Sequence, residues 1–208
     1  MPIPNNQQLT PRGGWRELPQ PRMSLTSAVT ADPGRRTLLW VMEKVGRLDA
    51  ANLWLLMMKN MRLLRGMLSF ASKMMPYGEL PRRDTELCIL RVGWNCRARY
   101  EWGQHVDIGM RAGLSAEEVA RIPGGANAAG WTPQQAALLQ ACDELHQERM
   151  LSDATWKSLT QYYSERLMLE ILMLIGYYEG LAGVLNSTGL PLDEALEIKL
   201  AAAPIHGG

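Results

Sequence analysis

Apolar residues recur every three or four positions along most of this chain, and that spacing is typical of helices that bury one face. The first run contains Leu38, Leu39, Val41, Met42 and Val45. The pattern predicts a helix that begins near residue 33, and further helices at about 50–59, up to 75, 82–97, 98–112, 115–122, 133–149, 153–163, 165–186 and 192–202. No stretch shows the sustained alternation of a half-buried strand, so the sequence predicts an all-α fold.

Several residues mark where these helices begin and end. Asp32 followed by Pro33 is typical of a helix start, because an acceptor side chain caps the first turn and proline fits the first helical position. Capping boxes, in which two side chains satisfy each other's backbone amides, are predicted at 115–118 and 132–135. Gly113 is placed to end the second of two central helices.

Residues 1–32 show no such period and contain five prolines, which predicts an extended arm. Such an arm is either disordered or laid across a neighbouring subunit. Trp15, Leu18 and Met23 favour the second interpretation, because large apolar side chains are poor choices for a solvated tail. The predicted organisation is therefore an arm of residues 1–32 and a single helical domain of residues 33–208.

The charge of the chain argues against one class of partner. Lys and Arg number 22 against 21 Asp and Glu, and a net charge of +1 gives no electrostatic basis for binding nucleic acid.

The apolar run 167–185 contains two glutamates, which argues against a membrane span. No signal peptide is recognisable at the N-terminus. A cytoplasmic location without disulfides is expected, because the three cysteines form no CxxC motif: Cys88, Cys96 and Cys142.

The most informative stretch, residues 81–115, holds Glu101 and His105 four positions apart. On a helix this spacing places both side chains on one face, within reach of each other. A carboxylate beside an imidazole can take, hold and return a proton near neutral pH. The alternative is an exposed ion pair, worth roughly a few tenths of a kcal/mol. Apolar neighbours such as Trp102 and Ile108 indicate instead that part of this helix is buried.

Glu86 lies one helix earlier and has two interpretations. It can pair with Arg82 or Arg83 at helical spacing. It can also orient the imidazole of His105, as acids beside catalytic histidines do. A metal held by Glu86, Glu101 and His105 is conceivable from the ligand types, but no motif supports it and no metal is predicted.

Other residues with reactive side chains have simpler explanations. Cys96 is flanked by two arginines, so thiol chemistry stays open for it, whereas Cys88 and Cys142 are expected in the core. His146 lies on an amphipathic helix and is interpreted as structural. Tyr178 belongs to a group of tyrosines that are expected to pack, although a hydroxyl among them can face a pocket.

The run ELCILRVGWNCRARYEWGQH, followed by AGLSAEEVARI, resembles the carboxymuconolactone decarboxylase family. Glu86, the triplet Tyr100-Glu101-Trp102 and His105 stand in order at the spacing of that family. The resemblance is strong over residues 81–122. It is weaker in LIGYYEGLAGVLNSTGLPLD, which covers the end of the last long helix and the residues after it.

The resemblance implies an all-α bundle in which two central helices pack as an antiparallel hairpin, within a homo-oligomer such as a dimer, trimer or hexamer. It also implies a cofactor-free lactone decarboxylase, which removes a carboxylate and moves a proton to carbon. His105 is the implied general acid or base, Glu101 the second acid or base, and Glu86 the orienting group. The residues expected to bind the substrate are Tyr100, Trp102 and Tyr178.

Alkyl hydroperoxidases of the wider superfamily place a CxxC pair where this chain has Ala98 and Glu101, and peroxide reduction needs both sulfurs. Our first hypothesis is therefore a cofactor-independent enzyme that decarboxylates a small lactone or keto acid, or transfers a proton at one of its carbons. The alternative is a non-catalytic helical oligomer that binds a ligand. Thiol-dependent peroxide reduction through Cys96 is the least favoured hypothesis.

Overall fold

The computed structural model describes residues 9–25, 32–46 and 50–202, and every regular element in them is helical. The α-helices are α1 (Pro33–Gly46), α2 (Ala51–Met57), α3 (Met61–Ala71), α4 (Arg82–Asn95), α5 (Arg99–Arg111), α6 (Ala116–Arg121), α7 (Pro133–Glu148), α8 (Asp153–Leu159), α9 (Glu165–Thr188) and α10 (Glu194–Ala202). Two 3₁₀ helices lie at Met58–Asn60 and Ile122–Asn127. No β-strand occurs in the described ranges, which confirms the all-α prediction.

The predicted helix starts are made by the expected side chains. Asp32 Oδ1 accepts a hydrogen bond from the backbone N–H of Arg35 at 2.9 Å. Both capping boxes are formed, one before α6 and one before α7. Gly113 follows α5 with a φ of 99°, a left-handed conformation that glycine adopts without steric cost.

Three predicted boundaries differ from the structure. α3 ends at Ala71 rather than near residue 75, and the residues leading to Pro76 form turns, because helical geometry is disfavoured just before a proline. α8 ends at Leu159, four residues before the predicted end at residue 163. Residues 123–130, for which no helix was predicted, contain most of the second 3₁₀ helix, which is kinked where Gly125 takes a φ of 67°.

The central hairpin consists of α4 and α5. Only residues 96–98 join the two helices, so they run antiparallel along each other, as the family resemblance implied. Arg97 turns the chain there with a φ of 52°. α10 covers the outer side of α5, where Leu200 of α10 and Leu192 just before it pack against Gly103.

The core is built around α4, which contacts α5, α7 and α9. Four of its apolar residues are fully buried: Leu87, Ile89, Leu90 and Val92. A helix packed on several sides has no solvent face, and this explains why polar residues of α4 are also buried. A smaller apolar cluster lies beside this core and contains Ala50, Trp54, Met58 and Leu64.

α9 is long and apolar enough to cross a membrane, with a mean hydropathy of 1.5 in its most apolar window. Length and composition are weak evidence, because the core helix of a soluble protein meets the same test. Its two acidic residues inside the apolar run have partners within the fold. Glu170 accepts hydrogen bonds from the backbone N–H groups of Glu79 and Leu80, and Glu179 pairs with His146. The absence of a membrane span stays a prediction.

The described part of the N-terminal arm, residues 9–25, lies against its own chain, and its contact with a neighbouring subunit stays a prediction. Trp15 packs against both Trp94 and Trp102, with ring centroids 5.6 and 6.0 Å away. Leu18 contacts the backbone at the end of α9. The intramolecular site was not predictable, because nothing in the arm's sequence distinguishes a surface of its own chain from that of a partner. The remaining arm residues, except Asp32, lie outside the described residues.

We expect Trp15→Ala to lower the free energy of unfolding by about 1–2 kcal/mol, because a half-buried indole loses its contacts with two tryptophans. Urea unfolding followed by circular dichroism measures this. The matched control is Trp40→Ala, since the Trp40 side chain on α1 is 58% exposed. Equal losses in the two variants would contradict the docking of the arm.

Candidate functional site

Two glycines let α4 and α5 approach closely, and each lies against an acidic residue of the opposite helix. A Cβ atom on Gly93 would stand 3.5 Å from Cβ of Glu101, and one on Gly109 would stand 3.5 Å from Cβ of Glu86. The hairpin therefore brings Glu86 of α4 beside the face of α5 that carries Glu101 and His105. These three side chains lie in one buried layer, with exposures of 0%, 3% and 4%.

The His105 ring lies between the two carboxylates. Its Nδ1 is 2.7 Å from Oε2 of Glu86, and its Nε2 is 3.3 Å from Oε1 of Glu101. The fold thus brings together the three residues that the sequence offered as catalytic candidates. Because Glu86 occupies one ring nitrogen and Glu101 the other, the ring orientation is held from both edges.

Arg82 extends this row of charges at the outer end. Its Nη2 lies 2.8 Å from Oε1 of Glu86, an ion pair that lacks the direction of a good hydrogen bond. Arg83 instead contacts Glu118. Both interpretations of Glu86 therefore apply together, because it pairs with an arginine and also contacts the imidazole of His105.

The two carboxylates change the acidity of the imidazole. Burial alone lowers the pKa of His105, but the charge of Glu86 and the hydrogen bonds to Glu101 and Glu86 outweigh it and raise the pKa to about 9. His105 is therefore protonated at neutral pH, with a proton on each ring nitrogen. In this state the ring can donate a proton while Glu101 accepts one.

A single metal ion does not fit these three residues. The carboxylates contact opposite nitrogens of the ring, and an ion bound at Nδ1 lies on the far side of the imidazole from one bound at Nε2. Glu86 and Glu101 therefore cannot share an ion with the same histidine nitrogen. This geometry gives the conceivable metal site of Glu86, Glu101 and His105 no support.

A cavity of about 370 Å³ opens beside Glu101 and His105. This volume is sufficient for a small organic molecule. Its walls come from the α1–α3 region, from α5 and from α9. The other described lining residues are mostly apolar or aromatic: Val41, Ala50, Leu53, Trp54, Met67, Leu68, Ala71, Ser72, Met75, Pro76, Tyr77, Tyr100, Gln104, Ile108, Tyr177, Tyr178, Leu181 and Leu185.

Tyr178 and Tyr100, two predicted substrate contacts, both line this cavity but differ in their hydroxyl groups. The Tyr178 ring stands edge-on to His105 at 5.3 Å between centroids, and burial raises the pKa of its phenol well above the usual value. The Tyr100 hydroxyl donates to Asp193 at 2.7 Å and accepts from the backbone N–H of Leu53 at 3.2 Å. Tyr100 therefore offers a substrate its ring more readily than its hydroxyl.

Trp102, the third predicted contact, is not among the described residues that line the cavity. Its indole packs against Trp94 at 5.1 Å and against Trp15 of the arm. It follows Glu101 directly, and a helix directs adjacent side chains about 100° apart. Trp102 thus faces the arm while Glu101 faces His105.

Two cavity residues with unpartnered polar atoms were missed by the sequence reasoning. Trp54 Nε1 and Gln104 Oε1 are buried and have no hydrogen-bond partner among the described residues. Gln104 directly precedes His105, and its polar side chain within a buried helix was a usable signal. Trp54 carried no such signal, because its helix is remote in sequence from the central hairpin.

Cys96 lies at the end of α4 beside His146 and Glu179, outside the described cavity lining. Burial and the nearby Glu179 carboxylate raise the pKa of its thiol to about 12. The thiol is therefore protonated at neutral pH, which weakens it as a nucleophile toward peroxides. Cys88 and Cys142 are fully buried, as expected.

Residues 62–144 match the Carboxymuconolactone decarboxylase family, which confirms the resemblance seen in the sequence. The match begins inside α3, earlier than the strong stretch 81–122, and ends inside α7. It does not extend to α9, where the sequence suggested a weaker similarity. No curated protein matches the chain.

Solved structures of low sequence identity share the fold. An uncharacterized peroxidase-related protein from Ralstonia eutropha JMP134, described as an alkylhydroperoxidase AhpD core, is 16% identical with a TM-score of 0.71, covering 86% of this chain and 95% of that one. A putative antioxidant defence protein AhpD from Agrobacterium tumefaciens is 17% identical with a TM-score of 0.61, covering 65% and 94%. A cysteine-to-alanine variant of the debrominase Bmp8, in complex with 2,3,4-tribromopyrrole, is 16% identical with a TM-score of 0.67, covering 86% and 98%. These likenesses show an alkyl hydroperoxidase-like fold.

We expect thermal stability to fall as the pH rises from about 6.5 to about 9. The pKa of His105 is about 9 in the folded protein and near 6.5 in an unfolded chain, so the folded state binds more protons across this interval. Its contribution is complete below the lower value and lost above the higher one. Melting temperatures measured across this interval check the slope. His105→Gln should flatten it, and an unchanged slope in that variant would contradict the assignment.

Proposed function

We propose that this protein is a cofactor-independent enzyme that decarboxylates a small lactone or keto acid or transfers a proton at one of its carbons, with Glu101 and His105 as the acid–base pair. The observation that carries the proposal is the position of both side chains. They are buried, they contact each other, and they line a cavity of about 370 Å³. Paired titratable groups in such a cavity are typical of catalytic sites.

The charges suggest how the two residues divide the reaction. Glu101 takes the proton from a carbon beside a carbonyl group. Protonated His105 then turns its Nε2–H from Glu101 to the carbonyl oxygen, where it stabilises the enolate-like charge. Return of the proton to the same or another carbon completes the transfer. In a decarboxylation, the electrons of the broken carbon–carbon bond form the enolate, CO₂ leaves, and His105 supplies the proton to carbon. Glu86 keeps the imidazole oriented and favours its protonated form, so that the ring is reprotonated from solvent after each donation.

Proton transfer at carbon is better supported than decarboxylation. No lysine or arginine stands among the described residues that line the cavity, and the Glu101 carboxylate is at its polar end. A substrate carboxylate would have the charge of His105 alone to offset its desolvation. An uncharged carbonyl compound carries no such cost. The debrominase with the same fold holds a small halogenated pyrrole, which supports the capacity of this fold for small aromatic ligands.

A non-catalytic binding module is the remaining alternative. It requires the Glu101–His105 pair to be exposed or filled in by packing, and the buried pair beside a cavity argues against both. Thiol-dependent peroxide reduction is disfavoured because the raised pKa of Cys96 keeps its thiol protonated.

Self-association into a homo-oligomer and a cytoplasmic location remain predictions. One face of α9 supports the first of these, because Leu169, Met173 and Val184 are 62%, 45% and 46% exposed. Apolar side chains exposed along one helix are common at subunit interfaces.

We expect His105→Ala and Glu101→Gln each to slow carbon-acid proton exchange by about 10²–10⁴-fold, since each removes one partner of the proton transfer. Loss of α-protons from 2-indanone in D₂O, followed by proton NMR and corrected for buffer catalysis, measures the rate. Glu165→Gln is the matched control, because Glu165 is exposed at the start of α9. Exchange at the wild-type rate in folded His105→Ala would sink the proposal.

We also expect the cavity to prefer an uncharged ligand over an anion of the same shape. 2-Indanone should raise the melting temperature more than indane-2-carboxylate does at equal concentration, because binding to the folded state stabilises it by mass action. Differential scanning fluorimetry near pH 7 compares the two. A larger shift with the carboxylate would show that the cavity accepts anions and would favour decarboxylation.

A further inference from the structure

A second cluster of reactive side chains lies on three helices outside the described lining of the cavity. Cys96 follows the end of α4, His146 lies near the end of α7, and Glu179 lies on α9. Cys96 Sγ is 3.5 Å from Glu179 Oε1 and 3.9 Å from His146 Nδ1, and Nδ1 is 2.7 Å from the same Oε1. One sulfur, one nitrogen and one oxygen therefore lie within 3.9 Å of one another.

This arrangement is not that of a nucleophilic triad. In a Cys–His–acid triad the two ring nitrogens have different partners, because one faces the thiol and the other faces the carboxylate. Here the same Nδ1 of His146 faces both Cys96 and Glu179. The ring therefore cannot relay a proton from the thiol to the acid. Three ligand-type atoms grouped this closely can instead hold a metal ion between them.

The spacing of the three atoms suits a small tetrahedral ion. Bonds of roughly 2.0–2.3 Å to sulfur, nitrogen and oxygen place tetrahedral ligands about 3.3–3.8 Å apart. Two of the three observed separations, 3.5 and 3.9 Å, are close to this range. The shortest, between His146 and Glu179, is a hydrogen bond that an inserted ion replaces. The His146 side chain is 33% exposed, so the cluster is open to solvent on one side.

We propose that Cys96, His146 and Glu179 bind one thiophilic divalent cation, with Zn²⁺ the best match, and that water takes the fourth position. Binding replaces the thiol proton by the cation and releases that proton to solvent, because the thiolate is the ligand. The mixed sulfur, nitrogen and oxygen set favours zinc over magnesium or calcium, which prefer oxygen ligands alone. The ion links the ends of α4 and α7 to the middle of α9.

Arg149 provides the outer support of this site. Its Nη1 lies 2.5 Å from Oε2 of Glu179, so the two carboxylate oxygens contact different partners. Oε2 is held by the guanidinium, while Oε1 faces Cys96 and His146. Hydrogen bonds of this kind to the outer oxygen of a ligating carboxylate orient it for the ion.

The test uses the full chain, freed of metal with a chelator, reduced, and titrated with Co²⁺ as a spectroscopic stand-in for Zn²⁺. We expect one equivalent to bind with a thiolate-to-cobalt charge-transfer band in the near ultraviolet, and Zn²⁺ to displace it. Zn²⁺ should also raise the melting temperature, whereas Mg²⁺ at the same concentration should not.

Three variants identify the ligands. Cys96→Ser should lose the charge-transfer band, and His146→Gln and Glu179→Gln should each weaken binding at least tenfold. Cys142→Ala is the matched control, because Cys142 is fully buried and should leave the band unchanged. Absence of the band in folded wild-type protein, or its survival in Cys96→Ser, overturns the proposal. Circular dichroism of each variant separates lost binding from lost folding.

Discussion

The structure depends on the close approach of α4 and α5, which buries an acid, an imidazole and a second acid in one layer. Burying a charge is costly unless it is paired, and removing one member of a buried pair costs about 3–5 kcal/mol. Here the charges alternate along the row from Arg82 through Glu86 and His105 to Glu101, so each has an opposite neighbour. Gly93 keeps the helices close enough for these contacts, because a Cβ there would meet the backbone of the opposite helix at 3.3 Å.

The same row of charges connects the fold to its proposed chemistry. The carboxylates that make burial of His105 tolerable also raise its pKa, and they leave Glu101 at the edge of the cavity. The walls opposite come from α2 and α3, which lie outside the hairpin and determine what enters. Structures of the same fold include proteins described as peroxidase-related and as a debrominase. The fold alone therefore does not specify the reaction, which depends on the side chains placed in the site.

The helices and the trio of Glu86, Glu101 and His105 were predictable because they depend on local information. Helical period, capping residues and an i,i+4 spacing act within a few residues, and the family resemblance placed Glu86 opposite them. The cavity was not predictable, because its walls join α1–α3 to α5 and α9 across long sequence separations. The docking of Trp15 and the proximity of Cys96 to His146 were not predictable for the same reason. Such contacts follow from packing, and no local pattern indicates which surfaces will meet.

The most direct test of this account is the titration of His105 by NMR, with the ring nitrogens labelled and the signal assigned by its absence in His105→Gln. The sequence contains three histidines, so the spectrum is simple. We expect a pKa near 9, with both ring nitrogens protonated at neutral pH and a lower value in Glu86→Gln. A His105 that is neutral at pH 7, or whose pKa is unaffected by Glu86→Gln, would contradict the charged acid–base pair on which the proposed function rests.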